Sequence, residues 1–291
     1  MNLKYGSKGE AVSTLQRRLN KLGFKGKNDK ELSTDGYFGE QTEFAVIAFQ
    51  RSKNLVDDGI VGAKTNAAIL GNDTSKLLKA QDYIDAAKRL NVPEIVIRAF
   101  AETESSKGGF LADGRPTILF ERHRMYFHLS QLTSKANANM HMSRSPSVVN
   151  TASGGYRGGT AEYIRLASAK QIHEQAALQS CSWGQFQIMG DHWKDLGYTS
   201  VQDFVASMYA SESLQLEAFI RFIEWKKGKV DKKDITLLDA LRAEDWHAVF
   251  TLYNGTAYKR LGYDAKFQQV MKRLEPIFGE KKVNEKVATT A

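Results

Sequence analysis

The chain has 291 residues, of which 42% are hydrophobic and 25% charged, with one cysteine and four prolines. This composition is typical of a globular protein and excludes a disordered chain, a collagen and a disulfide-stabilised framework. The length suits one large domain or two unequal domains. Lysine and arginine outnumber aspartate and glutamate by 41 to 33, and the formal charge of +8 favours a polyanionic partner, a class that includes nucleic acids, anionic membranes and acidic cell-wall polymers.

The first seventy residues contain a short internal repeat. The sequence DGYFGEQT at 35–42 recurs as DGIVGAKT at 58–65, and both copies read Asp-Gly-x-x-Gly-x-x-Thr. Asp-Gly predicts a tight turn, and the second glycine releases the chain into a helix. With the amphipathic stretch before them, the two copies predict three short helices around a small core over residues 1–70. The apolar positions expected in this core are Val12, Leu15, Leu19 and Leu22 in the first helix, Phe44, Ile47 and Ala48 in the second, and Ala67 and Ile69 in the third.

A polar stretch, GNDTSKLLK at 71–79, indicates a linker, and the chain beyond it is mostly helical in pattern up to about residue 279. Pro93 suits the first turn of a helix that continues through EIVIRAFAETES. These features predict a second, larger helical domain over residues 80–279.

The helix after Pro93 carries a candidate catalytic acid. Ile97, Ala101 and Glu104 share one face, so a carboxyl group lies at the helix end in line with apolar neighbours. Such a setting disfavours the charged form and raises the pKa of a carboxyl group, as a general acid near neutral pH requires. Glu102, by contrast, is spaced to form an ordinary surface ion pair with Arg98.

A second candidate carboxylate follows a short predicted strand. In GRPTILFERH the residues 116–120 alternate as a strand, and Glu121 stands at its end. This side chain is expected either to pair with Arg122 or His123 or to face Glu104 across a cleft. Two carboxyl groups across a cleft are what glycosidic cleavage requires, because one protonates the leaving oxygen and the other positions water or stabilises the cationic sugar.

Two further stretches have the composition of a sugar-binding cleft. The segment SCSWGQFQIMG at 180–190 combines small residues with a tryptophan and two glutamines, and WHAVFTLYNGTAY at 246–258 ends a predicted helix on Tyr-Asn-Gly. Amide and hydroxyl groups offer hydrogen bonds to a glycan, and aromatic rings offer faces on which sugars stack. The candidate substrate-binding residues are Ser182, Trp183, Gln187, Tyr253 and Asn254.

These motifs resemble known families. YGSKGEAVSTLQRRLNKLGF, TDGYFGEQTEFAVIAFQ and VDDGIVGAKTNAAI are similar to the three-helix peptidoglycan-binding domain that accompanies many cell-wall hydrolases. Over about residues 85–278, ETESSKGGFLADGRPTILFERHRMY, SGGYRGGTAEYIRL and SWGQFQIMG resemble the N-acetylmuramidase domain of bacteriophage endolysins. The order of Glu-Ser, G-x-x-Q-I and Tyr-Asn is also that of goose-type lysozymes and lytic transglycosylases. Ser106-Lys107 departs from the more glycine-rich turn expected after Glu-Ser.

The resemblance implies a modular endolysin that hydrolyses the β-1,4 bond between N-acetylmuramic acid and N-acetylglucosamine. Glu104 would be the catalytic acid and Glu121 a second essential or supporting carboxylate, while Gln187, Tyr253 and Asn254 would line the glycan subsites. The fold expected is mainly α: a three-helix binding domain at 1–70, a linker at 71–79, a lysozyme-like α-helical domain with a short β-hairpin at 80–279, and a dispensable tail at 280–291.

The partner expected is peptidoglycan. We predict no cofactor, no metal, no nucleic-acid binding, no stable membrane insertion and a monomeric protein. Because MNLKYGSKGE has no apolar run of the kind found in a signal peptide, the protein is expected in the cytoplasm of the host bacterium. Its release to the cell wall at lysis by a separate membrane-permeabilising protein is implied by the family alone.

Several alternatives stay open at this point. A lytic transglycosylase would cut the same bond and leave anhydro-muramic ends, and a wall-binding virion component would have a degenerate lysozyme domain. Cys181 followed by Ser-Trp invites comparison with Cys-His peptidases and amidases, which need a thiolate activated by histidine. Zinc amidases need clustered histidines, and the five-residue separation of His123 and His128 matches no such motif.

Overall fold

Residues 2–104 and 108–279 are described by a computed structural model of the chain. The departure predicted at Ser106-Lys107 and the tail predicted at 280–291 lie outside these residues. The described chain is mainly α-helical with a minor β component, as predicted.

The N-terminal unit consists of α1 (Glu10–Lys21), α2 (Glu40–Ser52) and α3 (Ala63–Ile69). Its core includes Val12, Leu15, Leu19, Phe38, Ala45, Val46 and Phe49. The predicted face of α2 was wrong, because Phe44 is 45% exposed and Ala45, Val46 and Phe49 point inward instead. Leu22 is also exposed, at 47%, since it lies just past the last turn of α1.

One glutamine ties each copy of the repeat to the helix before it. In the first copy, Gln16 Nε2 donates to Asp35 Oδ1, Tyr37 O and Thr42 Oγ1, and Gln16 Oε1 accepts from Gly36 N. In the second copy, Gln50 makes the same four contacts, with Asp58 Oδ1, Ile60 O, Thr65 Oγ1 and Gly59 N. All eight distances are 3.0–3.1 Å. Gly36 and Gly59 both have φ +72°, the left-handed conformation that glycine adopts without strain. The repeat is therefore one structural device used twice, a buried amide that closes a turn onto a helix.

The larger unit contains the remaining helices and all five strands. The helices are α4 (Ala80–Leu90), α5 (Glu94–Glu104), α6 (Arg122–Leu132), α7 (Lys135–Arg144), α8 (Ala161–Ile172), α9 (Glu174–Gln179), α10 (Val201–Ala210), α11 (Glu212–Trp225), α12 (Leu237–Arg242), α13 (Trp246–Asn254) and α14 (Tyr263–Phe278). The strands are β1 (Ile118–Phe120), β2 (Cys181–Trp183), β3 (Ile188–Met189), β4 (Lys227–Val230) and β5 (Lys233–Thr236).

The strands form two small antiparallel sheets. In the first, β2 pairs with both β1 and β3, with Leu119 opposite Ser182 and Ser182 opposite Met189. In the second, β4 and β5 make a hairpin. The one short β-hairpin that was predicted thus has two counterparts, β2–β3 and β4–β5, and β1 adds a third strand to the first.

The helix α5 lies at the centre of the larger unit. Eight of its eleven residues are buried, including Ile97, Phe100 and Ala101, and it packs against α4 and α14. The Phe100 ring meets the rings of Phe219 and Phe250 at centroid distances of 5.3 and 5.9 Å. A helix fixed on so many sides holds the group at its end, Glu104, in one position.

Arg98 joins α5 to the N-terminal unit. Its Nη2 lies 3.0 Å from Asp57 Oδ1 and its Nε 2.6 Å from Glu94 Oε1, and Arg98 and Asp57 are both buried. Glu102 instead accepts a hydrogen bond from Arg273. The expected pair of Glu102 with Arg98 was therefore wrong, because a tertiary contact took the place of the local one.

Candidate active site

Glu104 lies where the end of α5 meets the end of α13. The Asn254 Nδ2 atom is 3.4 Å from Glu104 Oε1 and 3.3 Å from Oε2. Lys266, on α14, donates a hydrogen bond to the carbonyl oxygen of Thr103 and brings its positive charge close to the carboxyl group. The consecutive helices α13 and α14 thus meet the distant helix α5 at this carboxyl group.

Burial raises the pKa of Glu104 from an ordinary 4.5 to about 7. The hydrogen bond from Asn254 and the charge of Lys266 favour the ionised form and offset part of this effect. The pKa of the nearby Tyr263 phenol is also raised, first by the burial of Tyr263 and then by the negative charge of Glu104. A carboxyl group with a pKa near 7 can hold a proton and release it at neutral pH, as a general acid must.

Tyr253 connects this carboxyl group to the first sheet. Its hydroxyl donates to the Phe186 carbonyl oxygen at 3.1 Å, in the turn between β2 and β3. Its ring packs edge-on against Phe100 at a centroid distance of 5.1 Å. Tyr253 and Asn254, two of the residues predicted to line the glycan subsites, lie beside Glu104, and Tyr253 also holds the turn that carries Gln187.

Gln187 is fixed by three hydrogen bonds. Its Nε2 donates to the carbonyl oxygens of Gly184 at 2.8 Å and Thr117 at 3.3 Å, and its Oε1 accepts from the Ser182 hydroxyl at 2.9 Å. Gln187 is also a non-glycine residue with φ 50°. Strained residues of this kind concentrate at functional sites. Ser182 is 6% exposed, so its hydroxyl orients Gln187.

Trp183 does not fit the predicted role of a substrate contact. It is 1% exposed, and its Nε1 donates to the Leu178 carbonyl oxygen at 3.1 Å. Because side chains alternate along β2, Trp183 points to the opposite face of the sheet from Ser182. The aromatic ring proposed for sugar stacking is instead part of the core.

Glu121 immediately follows β1 and precedes α6. The Tyr156 hydroxyl lies 3.0 Å from Glu121 Oε1 and 2.8 Å from Oε2, and His123 Nδ1 lies 3.2 Å from Oε2. Arg122 is directed elsewhere, to carbonyl oxygens of Ala152 and Ser153. Of the partners expected from sequence, His123 is present and Arg122 is not.

The strand register relates Glu121 to the rest of the site. Leu119 is opposite Ser182, and Glu121, two residues further along the chain, projects from the same face of the sheet. Gln187 is attached to that face through Ser182. Glu121 and Gln187 thus share a face.

Sequence reasoning missed Tyr156. It is 47% exposed and stands in SGGYRGG, where the flanking Gly154, Gly155, Gly158 and Gly159 all have positive φ. The buried Glu162 fixes this loop, since its Oε1 accepts from Gly158 N at 2.9 Å and its Oε2 from Phe120 N at 3.2 Å. A lone aromatic residue between glycine pairs was the available signal, but nothing in the local pattern linked it to Glu121.

Comparison with known proteins agrees with this geometry. The model of the N-acetylmuramidase family matches residues 93–275, which include every candidate site residue. This chain belongs to the N-acetylmuramidase family. A peptidoglycan-binding domain model matches residues 8–69. The chain is also similar to a crystal structure of the Burkholderia AP3 phage endolysin, with 42% identity, a TM-score of 0.82 and coverage of 95% of this chain and 100% of that chain. No match was found among curated proteins.

The chain is thus a modular, endolysin-type muramidase, a glycoside hydrolase that acts on peptidoglycan. Cys181, the residue behind the peptidase alternative, is fully buried, and burial raises the pKa of its thiol well above the ordinary value. A thiolate nucleophile is unfavourable there. Within residues 2–104 and 108–279, no group of three or more His, Cys, Asp and Glu residues is placed to hold a metal ion. In the same residues no helix has the length and apolarity needed to cross a membrane.

Proposed function

We propose that this muramidase hydrolyses the β-1,4 bond between N-acetylmuramic acid and N-acetylglucosamine, with Glu104 as the proton donor. The observation that carries this proposal is the half-buried Glu104 carboxyl group at the meeting point of α5 and α13, whose pKa is raised by desolvation to about 7. In its neutral form Glu104 protonates the glycosidic oxygen while the bond from that oxygen to the sugar carbon breaks. Protonation removes the need to expel an alkoxide, which is the main barrier to cleavage at neutral pH.

Glu121 is the second carboxylate in this proposal. The Tyr156 hydroxyl lies within 3.0 Å of both of its oxygens, so that the carboxylate has a fixed position on the face that also bears Gln187, and His123 Nδ1 stands 3.2 Å from one of them. A carboxylate so placed stabilises the positive charge that develops on the sugar ring and orients the attacking water. We assign Gln187, Tyr253 and Asn254 to the glycan subsites, and we assign Ser182 to the positioning of Gln187.

The domain division is part of the proposal. Residues 1–70 bind the cell wall and so raise the local concentration of the enzyme at peptidoglycan. Residues 71–79 link this domain to the catalytic domain, which comprises residues 80–279. The separate apolar cores of the two units support this division. The protein acts as a monomer without nucleic acid, and it accumulates in the host cytoplasm before its release to the wall.

The competing reaction is lytic transglycosylation, in which a hydroxyl of the sugar itself attacks and leaves an anhydro ring. That reaction needs only one carboxyl group. The fixed second carboxylate at Glu121 favours hydrolysis, since water is the nucleophile that requires orientation.

Mass spectrometry of fragments released from purified peptidoglycan, with and without borohydride reduction, tests both reactions. We expect reducible muramic acid ends from the wild type and none from the Glu104→Gln variant. Anhydro-muramic ends would make the protein a transglycosylase. Peptide fragments from intact glycan would reject both reactions.

A further inference from the structure

Lys64 of the N-terminal unit forms polar contacts with the muramidase unit. It is the second residue of α3, and its Nζ lies 2.6 Å from Glu212 Oε2 and 3.3 Å from Gln185 Oε1. The Glu212 side chain is only 1% exposed, whereas that of Lys64 is 37% exposed. Both line a cleft of about 790 Å³ between the two units. Lys64 therefore brings a positive charge from the cleft to a carboxylate buried in the other unit.

Glu212, the first residue of α11, holds two other parts of the chain. Its Oε2 accepts from Leu78 N at 2.8 Å, and its Oε1 accepts from Gly109 N at 3.1 Å. Burying a carboxylate costs free energy that hydrogen bonds and a nearby cation must compensate. Within the described residues, the cation paired with Glu212 is Lys64.

Gly109 lies five residues after Glu104, and both its N–H and its carbonyl group are hydrogen-bonded. Its carbonyl oxygen accepts from Gln215 Nε2 at 3.3 Å and from Thr117 N at 2.9 Å. A Cβ atom at Gly109 would lie 2.5 Å from Gln215 Oε1, so only glycine allows this approach. Thr117 in turn offers its carbonyl oxygen to Gln187 Nε2. A continuous set of contacts thus runs from Lys64 through Glu212 and Gly109 to Gln187.

A second contact between the two units bears on the same region. Asp57 of the N-terminal unit pairs with Arg98 on α5, the helix that ends at Glu104. The N-terminal unit therefore contacts the helix that carries Glu104 and, through Glu212, is linked to Gly109 in the segment after it.

We propose that Lys64 is a positioning residue of the muramidase site: it neutralises Glu212, which keeps the Gly109 segment and, through it, Gln187 in place. The N-terminal unit then supports the catalytic geometry in addition to anchoring the enzyme. This inference rests on the proposed function of the Glu104 site, and it assigns to the binding domain a part in turnover.

The test uses the full chain and a soluble oligosaccharide of alternating N-acetylglucosamine and N-acetylmuramic acid, whose cleavage needs no wall anchoring. We expect Lys64→Met to lower kcat about five- to twentyfold with little change in KM, and Lys64→Arg to restore most of the loss. Lys21→Met, which removes an exposed lysine at the end of α1, is the matched control and should behave as wild type. In a Glu212→Gln background, where the buried charge is gone, Lys64→Met should cost less than about twofold.

Amide hydrogen exchange supplies a readout independent of turnover. Lys64→Met should speed exchange in residues 108–117, and Lys21→Met should leave it unchanged. A Lys64→Met variant that loses only thermal stability, with kcat and this exchange as in wild type, would overturn the inference, as would an equal loss of kcat in the Glu212→Gln background. If the wild type left the oligosaccharide intact, the proposed function would fail, and the exchange result would still decide the role of Lys64.

Discussion

The two carboxylates assigned to catalysis have opposite surroundings. Glu104 ends a buried helix and has one long contact, to the Asn254 amide, while burial raises its pKa to about 7. Glu121 follows a strand and precedes a helix, and the Tyr156 hydroxyl lies within 3.0 Å of both of its oxygens. One site favours a neutral acid with a proton to give, and the other favours a fixed carboxylate.

In the proposed mechanism, this contrast is what gives two chemically identical side chains two different roles. Each role depends on elements that the other does not use: α13 and α14 for Glu104, and the glycine-rich loop before α8 for Glu121. The environment that raises the pKa of Glu104 marks it as the candidate acid. A substitution can therefore change the surroundings of one carboxylate and leave those of the other intact.

The largest effect is expected from Glu104→Gln, which removes the transferable proton. We expect kcat on peptidoglycan to fall about a thousandfold or more, because general acid catalysis contributes about 10²–10⁴. Glu102→Gln, two residues earlier on the same helix, is the matched control and should stay within about twofold of wild type. The wild-type rate should also fall as the pH rises through about 7, where Glu104 loses its proton.

Either of two results would contradict this assignment. One is a Glu104→Gln variant with more than about a tenth of wild-type activity. The other is a wild-type rate that stays level from pH 6 to pH 9, since no proton near pH 7 would then be needed for turnover.

The raised pKa of Glu104 also predicts a change in stability. Because the folded protein binds this proton more tightly than the unfolded chain, the carboxyl group favours folding at low pH, and this contribution is lost as the pH rises from about 4.5 through about 7. Glutamine does not titrate. Relative to wild type, Glu104→Gln should therefore gain free energy of unfolding between pH 5 and pH 8, by up to about 3 kcal/mol.

Urea denaturation of both proteins at pH 5 and pH 8 measures this difference. A gap between wild type and Glu104→Gln that is the same at both pH values would mean that burial does not raise the pKa of this group.

Sequence patterns located the residues whose surroundings are local. Glu104 follows from helical periodicity, because the apolar face of α5 leads directly to it. Tyr253 and Asn254 follow from the end of a helix whose limits the sequence marks with Gly255. The repeat in the sequence predicted the duplicated turns of the N-terminal unit. It did not predict the glutamines that close these turns, because Gln16 and Gln50 precede the two copies by different numbers of residues and so are not part of the repeat.

What could not be predicted depends on tertiary contacts. The run FAVIAF in α2 has apolar residues on more than one face, so packing alone decides that Phe44 is exposed. Trp183 alternates with Ser182, and only the pairing of β2 with β1 and β3 shows which of them faces the site. Arg98 has Glu94 four residues before it and Glu102 four residues after it, so local spacing does not decide which of them it pairs with. Its guanidinium group is also bound by Asp57, which lies 41 residues earlier in the chain.

The smallest effect concerns the loop contact to Glu121. Tyr156→Phe removes the hydroxyl that holds both carboxylate oxygens, and we expect kcat to fall about three- to tenfold, as for loss of one exposed hydrogen bond to a charged group. Tyr126→Phe is the matched control, because it removes a tyrosine hydroxyl that donates to Asn139 at 2.7 Å. If Tyr156 acts through Glu121, Tyr156→Phe should cost almost nothing in a Glu121→Gln background, which by itself should be about 10- to 100-fold slower than wild type. An equal loss in both backgrounds would instead mean that the Tyr156 hydroxyl acts independently of Glu121, for example by a direct hydrogen bond to the glycan.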